Sequence, residues 1–197
     1  MILTITANPT VDRVYFVDNF QMGEVHRPER MVCSAGGKGL NVARVAHILG
    51  EETVAMGFLG GFNGEYIKSE LHKQGIETDF TQVQGETRIC VNISDKQGLS
   101  GEILEKGPVV TQKQIEDFLA SFENRIENYD IICASGSQQQ GVDSSFYCEI
   151  IRIAKAHKKK AIIDASGKVL EDVIKAHPFM IKPNRYELSL LMKKEIQ

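Results

Sequence analysis

Glycines and a lysine are concentrated at Ala35-Gly36-Gly37-Lys38-Gly39, immediately before a run with helical spacing. Backbone amides exposed at a helix N-terminus, with the Lys38 ammonium beside them, suit a phosphate or a polarised sugar oxygen. A glycine turn that only lets a helix pack closely is the other reading. A nucleotide P-loop needs G-x-x-x-x-G-K-[ST], which this stretch does not match, and neither does Gly136 to Gly141, followed by Val142-Asp143. The first strand candidate is not followed by G-x-G-x-x-G, which counts against a dehydrogenase.

Three more groups have chemistry in them. Asp12 could accept hydrogen bonds from two sugar hydroxyls, or simply cap the local turn. Arg88 is expected on a strand, where a guanidinium can grip phosphate with two parallel bonds or stay solvated. Its neighbour Cys90 is assigned to packing. In Lys182-Pro183-Asn184, the proline stiffens a strand exit, and Glu187 falls in the first turn of the next helix. That carboxylate could hold a metal through water, or compensate the helix dipole.

The elements that must position these groups follow from apolar periodicity. Strands are expected at 2–7, 13–20, 31–34, 53–59, 87–94, 102–105, 131–134, 161–165 and 179–182. Helices are expected at 40–49, with Leu40, Ala43, Ala46 and Leu49 on one face, and at 64–74. Others start at a Thr111/Gln114 capping box, run from an Asp143 cap to about His157, span 169–176, and start near Tyr186. Asp95-Lys96-Gln97-Gly98 reads as a hairpin turn. Strand–helix alternation implies an α/β fold, mainly a parallel doubly wound sheet with helices on both faces. The strands at 13–20, 31–34, 87–94 and 102–105 break the rhythm and read as a small antiparallel β-lid. Open parallel sheets bind ligands at the carboxyl ends of their strands. The clusters at 8–12, Gly136, 164–167 and 182–184 fall at such ends, so a shared cleft is expected.

Composition sets outer limits. A chain of 197 residues that is 42% hydrophobic can bury one sizeable core. A net charge of −3 argues against a general nucleic-acid or membrane surface. The N-terminus has no basic leader, and no apolar run approaches a bilayer span, so a cytoplasmic protein is expected. Cys33, Cys90, Cys133 and Cys148 are scattered without metal-site spacing and read as reduced, mostly buried thiols.

Together, these motifs resemble the PfkB, or ribokinase-like, family of carbohydrate kinases, most closely its 1-phosphofructokinase and tagatose-6-phosphate kinase branch. The resemblance runs from Thr6-Ala7-Asn8-Pro9-Thr10-Val11-Asp12, through Ala35 to Arg44, Thr87-Arg88, Gly107-Pro108, Ser135-Gly136-Ser137 and Asp164-Ala165-Ser166-Gly167, to Lys182–Glu187. It implies one ribokinase-like domain over 1–197, the N-terminal portion of the fold, with lid segments at about 13–34 and 87–106. It also implies a homodimer through the β-lid. On its pattern Asp12, Gly37, Lys38, Asn41 and Ser137 bind the sugar and Arg88 its phosphate. Lys182 and Asn184 contact ATP, and Asp164 and Glu187 lie near Mg2+. The implied substrate is a ketohexose monophosphate. Gly57 to Phe62 favours fructose 1-phosphate, and Gly101 to Pro108 favours tagatose 6-phosphate.

Two departures stand out. Gln138-Gln139-Gln140 replaces the family's Leu-Pro after Ser-Gly-Ser. The family's Gly-Ala-Gly-Asp segment, which carries the catalytic aspartate, has no match, so the C-terminal part is expected to be missing. On the resemblance, no residue here is the general base, which is expected to lie beyond Gln197. The resemblance therefore implies a chain inactive on its own, against the alternatives of a non-catalytic sugar-phosphate-binding protein or an inert gene fragment.

Overall fold

The computed structural model describes residues 1–96 and 98–196. In chain order its strands are β1 (Ile2–Thr6), β2 (Thr10–Phe16), β3 (Arg30–Gly36), β4 (Thr53–Leu59), β5 (Glu77–Gln82), β6 (Ile89–Asp95), β7 (Gly98–Leu104), β8 (Ile131–Ser135), β9 (Lys160–Asp164) and β10 (Met180–Ile181). The helices are α1 (Lys38–Ile48), α2 (Gly61–Lys73), α3 (Gln112–Arg125), α4 (Ser144–Ala156), α5 (Gly167–Lys175) and α6 (Arg185–Met192).

Six strands form one parallel sheet in the order β10-β9-β8-β1-β4-β5. Every residue of β4 is buried, as a central strand covered on both faces must be. Leu3 and Ile5 of β1 join Phe58, Phe118, Phe122, Phe146 and Ile150 in a core beneath α3, α4 and α5. On the opposite face Leu40, Ala43, Ala55, Leu59, Ile67 and Leu71 pack β4 against α1 and α2. The close seating of α1 depends on Gly39, where a Cβ would lie 2.3 Å from Thr6 Oγ1 and 2.7 Å from the Ile5 carbonyl. Leu40, Ala43 and Ala46 are buried as the helical face predicts, but Leu49 has passed the helix end and is 77% exposed.

The expected caps are present. Thr111 and Gln114 form the reciprocal box at α3, and Asp143 caps α4 through the Ser145 amide. Among the described residues no helix is long and apolar enough to cross a membrane. Of the four thiols, Cys90 and Cys133 are buried, and Cys33 and Cys148 are half-buried.

The second sheet runs β3-β2-β6-β7 and corrects one expectation. It is mixed rather than antiparallel: β2–β3 and β6–β7 are antiparallel hairpins, but the central β2–β6 pair is parallel. The cause is connectivity. β2 continues from β1 and β6 follows β5, and because β1 and β5 run the same way, their continuations leave the main sheet side by side.

Several boundaries also move. β2 starts at Thr10 and ends at Phe16, α1 and α2 begin at Lys38 and Gly61, and β10 has only two residues. The hairpin expected at residues 95–98 includes Gln97, which lies outside the described residues. Gln197, beyond which the general base is expected, lies outside them as well. β5 has no counterpart among the expected strands. Its Glu77 and Asp79 look unlike strand residues, yet both pair with Arg125 of α3, and Ser121 donates to Asp79.

Candidate active site

The carboxyl ends of β1, β8 and β9 meet the base of the second sheet, and most of the predicted polar residues converge there. Asp12 lies on β2 opposite Ser34, with its carboxylate over Gly36. A Cβ on Gly36 would be 2.0 Å from Asp12 Oδ2, so only glycine leaves room for the carboxylate there. Burial raises the Asp12 carboxyl above its ordinary value; the Thr10 hydrogen bond and the positive charges of Arg88 and Arg44 oppose that rise.

Gly37 stands before α1 with φ of 125°, a conformation that favours glycine, and its Cβ would meet Thr6 Cγ2 at 2.7 Å. Lys38, the first residue of α1, points across the cleft to β9. Its Nζ is 3.3 Å from Asp164 Oδ1, and Lys182 Nζ is 3.2 Å from Asp164 Oδ2. Asp164 is 8% exposed, while both lysine side chains are more than half exposed. A nearly buried carboxylate is thus shared by two ammoniums, which leaves a positive balance at the cleft mouth. Asn41, one helical turn along α1, is held by its own neighbour: Arg44 Nη1 donates to Asn41 Oδ1 at 2.7 Å, and Arg44 Nη2 donates to the Ala35 carbonyl.

Arg88 stands just before β6 rather than on a lid strand. Its guanidinium donates to the carbonyls of Asn8 (3.0 Å), Glu105 (3.2 Å) and Pro9 (3.4 Å). Nε and one hydrogen from each terminal nitrogen are engaged, so among the described residues two of the five donors have no partner and can meet a ligand. Ser137 is exposed, and its Oγ accepts a long 3.5 Å bond from Asn8 Nδ2.

Asn184 and Glu187 behave differently. They form a reciprocal capping box at α6: the Asn184 amide donates to Glu187 Oε2 and the Glu187 amide to Asn184 Oδ1, each at 2.8 Å. Glu187 also lines a recess of about 210 Å³ with Gly167, Lys168 and Glu171. Among the described residues no hydrogen bond or ion pair joins this cap to Asp164, and no group of three His, Cys, Asp or Glu side chains is arranged to hold a metal.

Asn8, Arg44 and Gln139 fall in stretches that the sequence marks out, the 8–12 cluster, the 35–44 motif and the glutamine loop, but no individual role was expected of any of them. Asn8, 5% exposed, donates to the Lys106 and Gln138 carbonyls, each at 3.3 Å, and Gln139, 2% exposed, donates to the Phe58 carbonyl at 3.4 Å. Asn8 Oδ1 and Gln139 Oε1 have no donor among the described residues. Residue type and spacing place Asn8 and Gln139 at the expected cleft but do not reveal the distant carbonyls they hold.

The pfkB family carbohydrate kinase pattern matches residues 5–197. A tagatose-6-phosphate kinase from Staphylococcus epidermidis is 40% identical across the whole chain, and the chain spans 64% of that relative's length. Among solved structures, a Staphylococcus aureus protein provisionally described as a phosphofructokinase matches with 35% identity and a TM-score of 0.83; the match covers 100% of this chain and 63% of that one. Phosphofructokinase-2 from Escherichia coli in complex with fructose-6-phosphate matches with 25% identity and a TM-score of 0.86, covering 100% and 65% respectively.

Proposed function

Because this chain belongs to the pfkB family of carbohydrate kinases, we propose that it is the acceptor-binding part of a kinase that transfers the γ-phosphate of ATP to a free hydroxyl of a ketohexose monophosphate. The observation that carries the reading is the Asp12 carboxylate lying over Gly36, with the Arg88 guanidinium at the same lid base. A half-buried carboxylate with a glycine floor suits adjacent sugar hydroxyls, and the guanidinium's two remaining donors suit a phosphate.

In this proposal Gly37, Lys38, Asn41 and Ser137 complete the sugar site. The amides at the start of α1 and the Lys38 ammonium supply positive potential where charge develops during phosphoryl transfer, a reaction catalysed mostly by positioning and electrostatics. Lys182 reaches the same place from β10 and would meet the nucleotide phosphates. Asn184 would contact ATP only from its place in the α6 cap. Mg2+ usually binds through one or two carboxylates plus phosphates and waters. Asp164 fits that pattern once a lysine yields its oxygen, and Glu187 fits it less well because its own cap holds it. The bound ion would neutralise charge on the phosphates.

We place the general base outside the residues of this site. Asp12 is engaged with Thr10 at the lid, and Asp164 is held by two lysines. The chain alone should therefore bind without turning over. Fructose 1-phosphate is the acceptor favoured by Gly57 to Phe62. Tagatose 6-phosphate is the second reading, supported by the name of the 40% identical relative. We also propose a homodimer through the second sheet, where Met31, Val32, Ile103 and Leu104 are exposed, and a cytoplasmic location alongside the substrates. The test is an ADP-release assay beside equilibrium binding, using fructose 1-phosphate, fructose 6-phosphate and tagatose 6-phosphate. Binding without turnover is expected. Turnover that stays with the protein through gel filtration would overturn the placement of the base, and absence of binding would overturn the function.

A further inference from the structure

We propose that Gln140, backed by Gln139, is a positioning residue for Arg88, acting through the strap of residues 105–110 that joins β7 to α3. The consequence for ligand binding rests on the sugar-phosphate reading above; the positioning relation itself does not.

The strap is the last of four crossings between the two sheets, and Arg88 leans on it. Arg88 Nη1 donates to the Glu105 carbonyl, and Glu105 Oε2 accepts from the Ile89 amide at 2.8 Å. Two residues on, Gly107 turns with φ of 85° and lies against three side chains. A Cβ built there would be 2.9 Å from Asn8 Oδ1, 3.6 Å from Gln139 Cγ and 3.8 Å from Arg88 Cβ. Gly107 is therefore the point where the Arg88 stem, the Asn8 amide and the glutamine loop meet.

The glutamine loop holds that point from the opposite side. Gln140 Nε2 donates to the Gly107 carbonyl at 3.0 Å, and the Gln140 carbonyl accepts from the Val110 amide at 2.8 Å, pairing Val109 with Gln140 in a short parallel bridge. Gly141 permits this approach, since a Cβ there would sit 2.1 Å from the Val110 carbonyl. Gln139 anchors the loop to β4 through Phe58, and Gln138 anchors it to the start of α4 through the Asp143 carbonyl at 2.5 Å. Each of the three side chains thus ties the loop to a different segment. A leucine-proline pair in place of Gln138 and Gln139 has no side-chain donor and could make neither of their ties. The geometry makes the strap a fixed support, so the two donors that Arg88 keeps free point in a set direction.

Gln140 is exposed, so its substitution should leave the core intact. The experiment uses Gln140→Met and Gln140→Glu, both of which remove the donor at similar length, in the 197-residue chain. Exchange of the Arg88 Nη hydrogens, one of which the strap holds through the Glu105 carbonyl, is read by low-temperature NMR without ligand, with the Nη hydrogens of Arg44 as internal control. Both variants should speed Arg88 exchange by about tenfold, the scale of one hydrogen bond, and leave Arg44 unchanged. Unchanged Arg88 exchange, or equal acceleration at both arginines, would overturn the proposal. In a second arm, fructose 1-phosphate should bind the variants about tenfold more weakly than wild type while MgATP affinity holds. Equal weakening of both ligands would contradict the positioning role. Failure of the wild-type chain to bind fructose 1-phosphate, with Arg88 exchange behaving as expected, would sink the sugar-phosphate reading and support the positioning relation.

Discussion

Lys38 and Asp164, 126 residues apart, are joined across the cleft by a 3.3 Å ion pair that links the start of α1 to the end of β9. Lys182 claims the other Asp164 oxygen, so one negative charge faces two positive ones. The pair should add little stability, because the Lys38 side chain is 55% exposed. A Lys38→Met/Asp164→Asn double-mutant cycle should give a coupling below about 1 kcal/mol. Its effect on anion binding should be larger: Lys38→Met weakens tripolyphosphate binding and Asp164→Asn tightens it, each severalfold. Equal weakening by both substitutions would mean that Asp164 organises the site rather than tempering its charge.

Arg88→Ala should weaken sugar-phosphate binding by about 1.5–3 kcal/mol, the range for hydrogen bonds to a charged group, with little change for ATP. Arg88→Lys should not restore it, since an ammonium cannot reach the Asn8, Pro9 and Glu105 carbonyls and a phosphate together. Calorimetric titration with each ligand separately checks this; equal losses for both would count against the phosphate assignment.

Asp12 links pH to stability and binding in opposite senses. Its folded carboxyl titrates above the ordinary value because burial disfavours the charge. The group therefore takes up its proton more readily in the folded chain, and its contribution to stability declines as pH rises from the unfolded value through the folded one. Asp12→Asn should melt higher than wild type at neutral pH, and the difference should shrink in acid. The same variant should lose sugar affinity. Thermal melts across the acid range read the first effect and titration the second. A variant less stable than wild type at neutral pH would contradict the assignment.

Gly39→Ala tests the seating of α1 on β1. The new methyl would overlap Thr6 Oγ1 and the Ile5 carbonyl, so a loss of about 1–3 kcal/mol is expected. Gly101→Ala is the control, because its nearest neighbour would be 4.0 Å away. Urea unfolding should separate the two; equal effects would show that the α1–β1 contact is not tight.

The main sheet was legible in the sequence because β1, β4, β8 and β9 are apolar runs closed by turn residues, and a parallel sheet buried on both faces requires such runs. β5 was hidden because its polar residues satisfy each other through Arg125 and Ser121, a partnership made 42 and more residues away. The lid's parallel centre was likewise invisible, since pairing direction depends on where two distant strands leave the sheet. Asp12, Gly37, Lys38 and Asp164 could be picked out by residue type and place. The engagement of Arg88 with three carbonyls and the closed cap of Asn184 and Glu187 could not, because local spacing does not reveal which partners a side chain already has.

The most direct test of the account is calorimetric titration of the chain with fructose 1-phosphate, tagatose 6-phosphate and unphosphorylated fructose. If Asp12 takes the hydroxyls and Arg88 the phosphate, at least one of the two sugar phosphates should bind about tenfold or more tighter than fructose, about 1.4 kcal/mol. Fructose binding as tightly as both phosphorylated sugars, or none of the three binding at all, would contradict it.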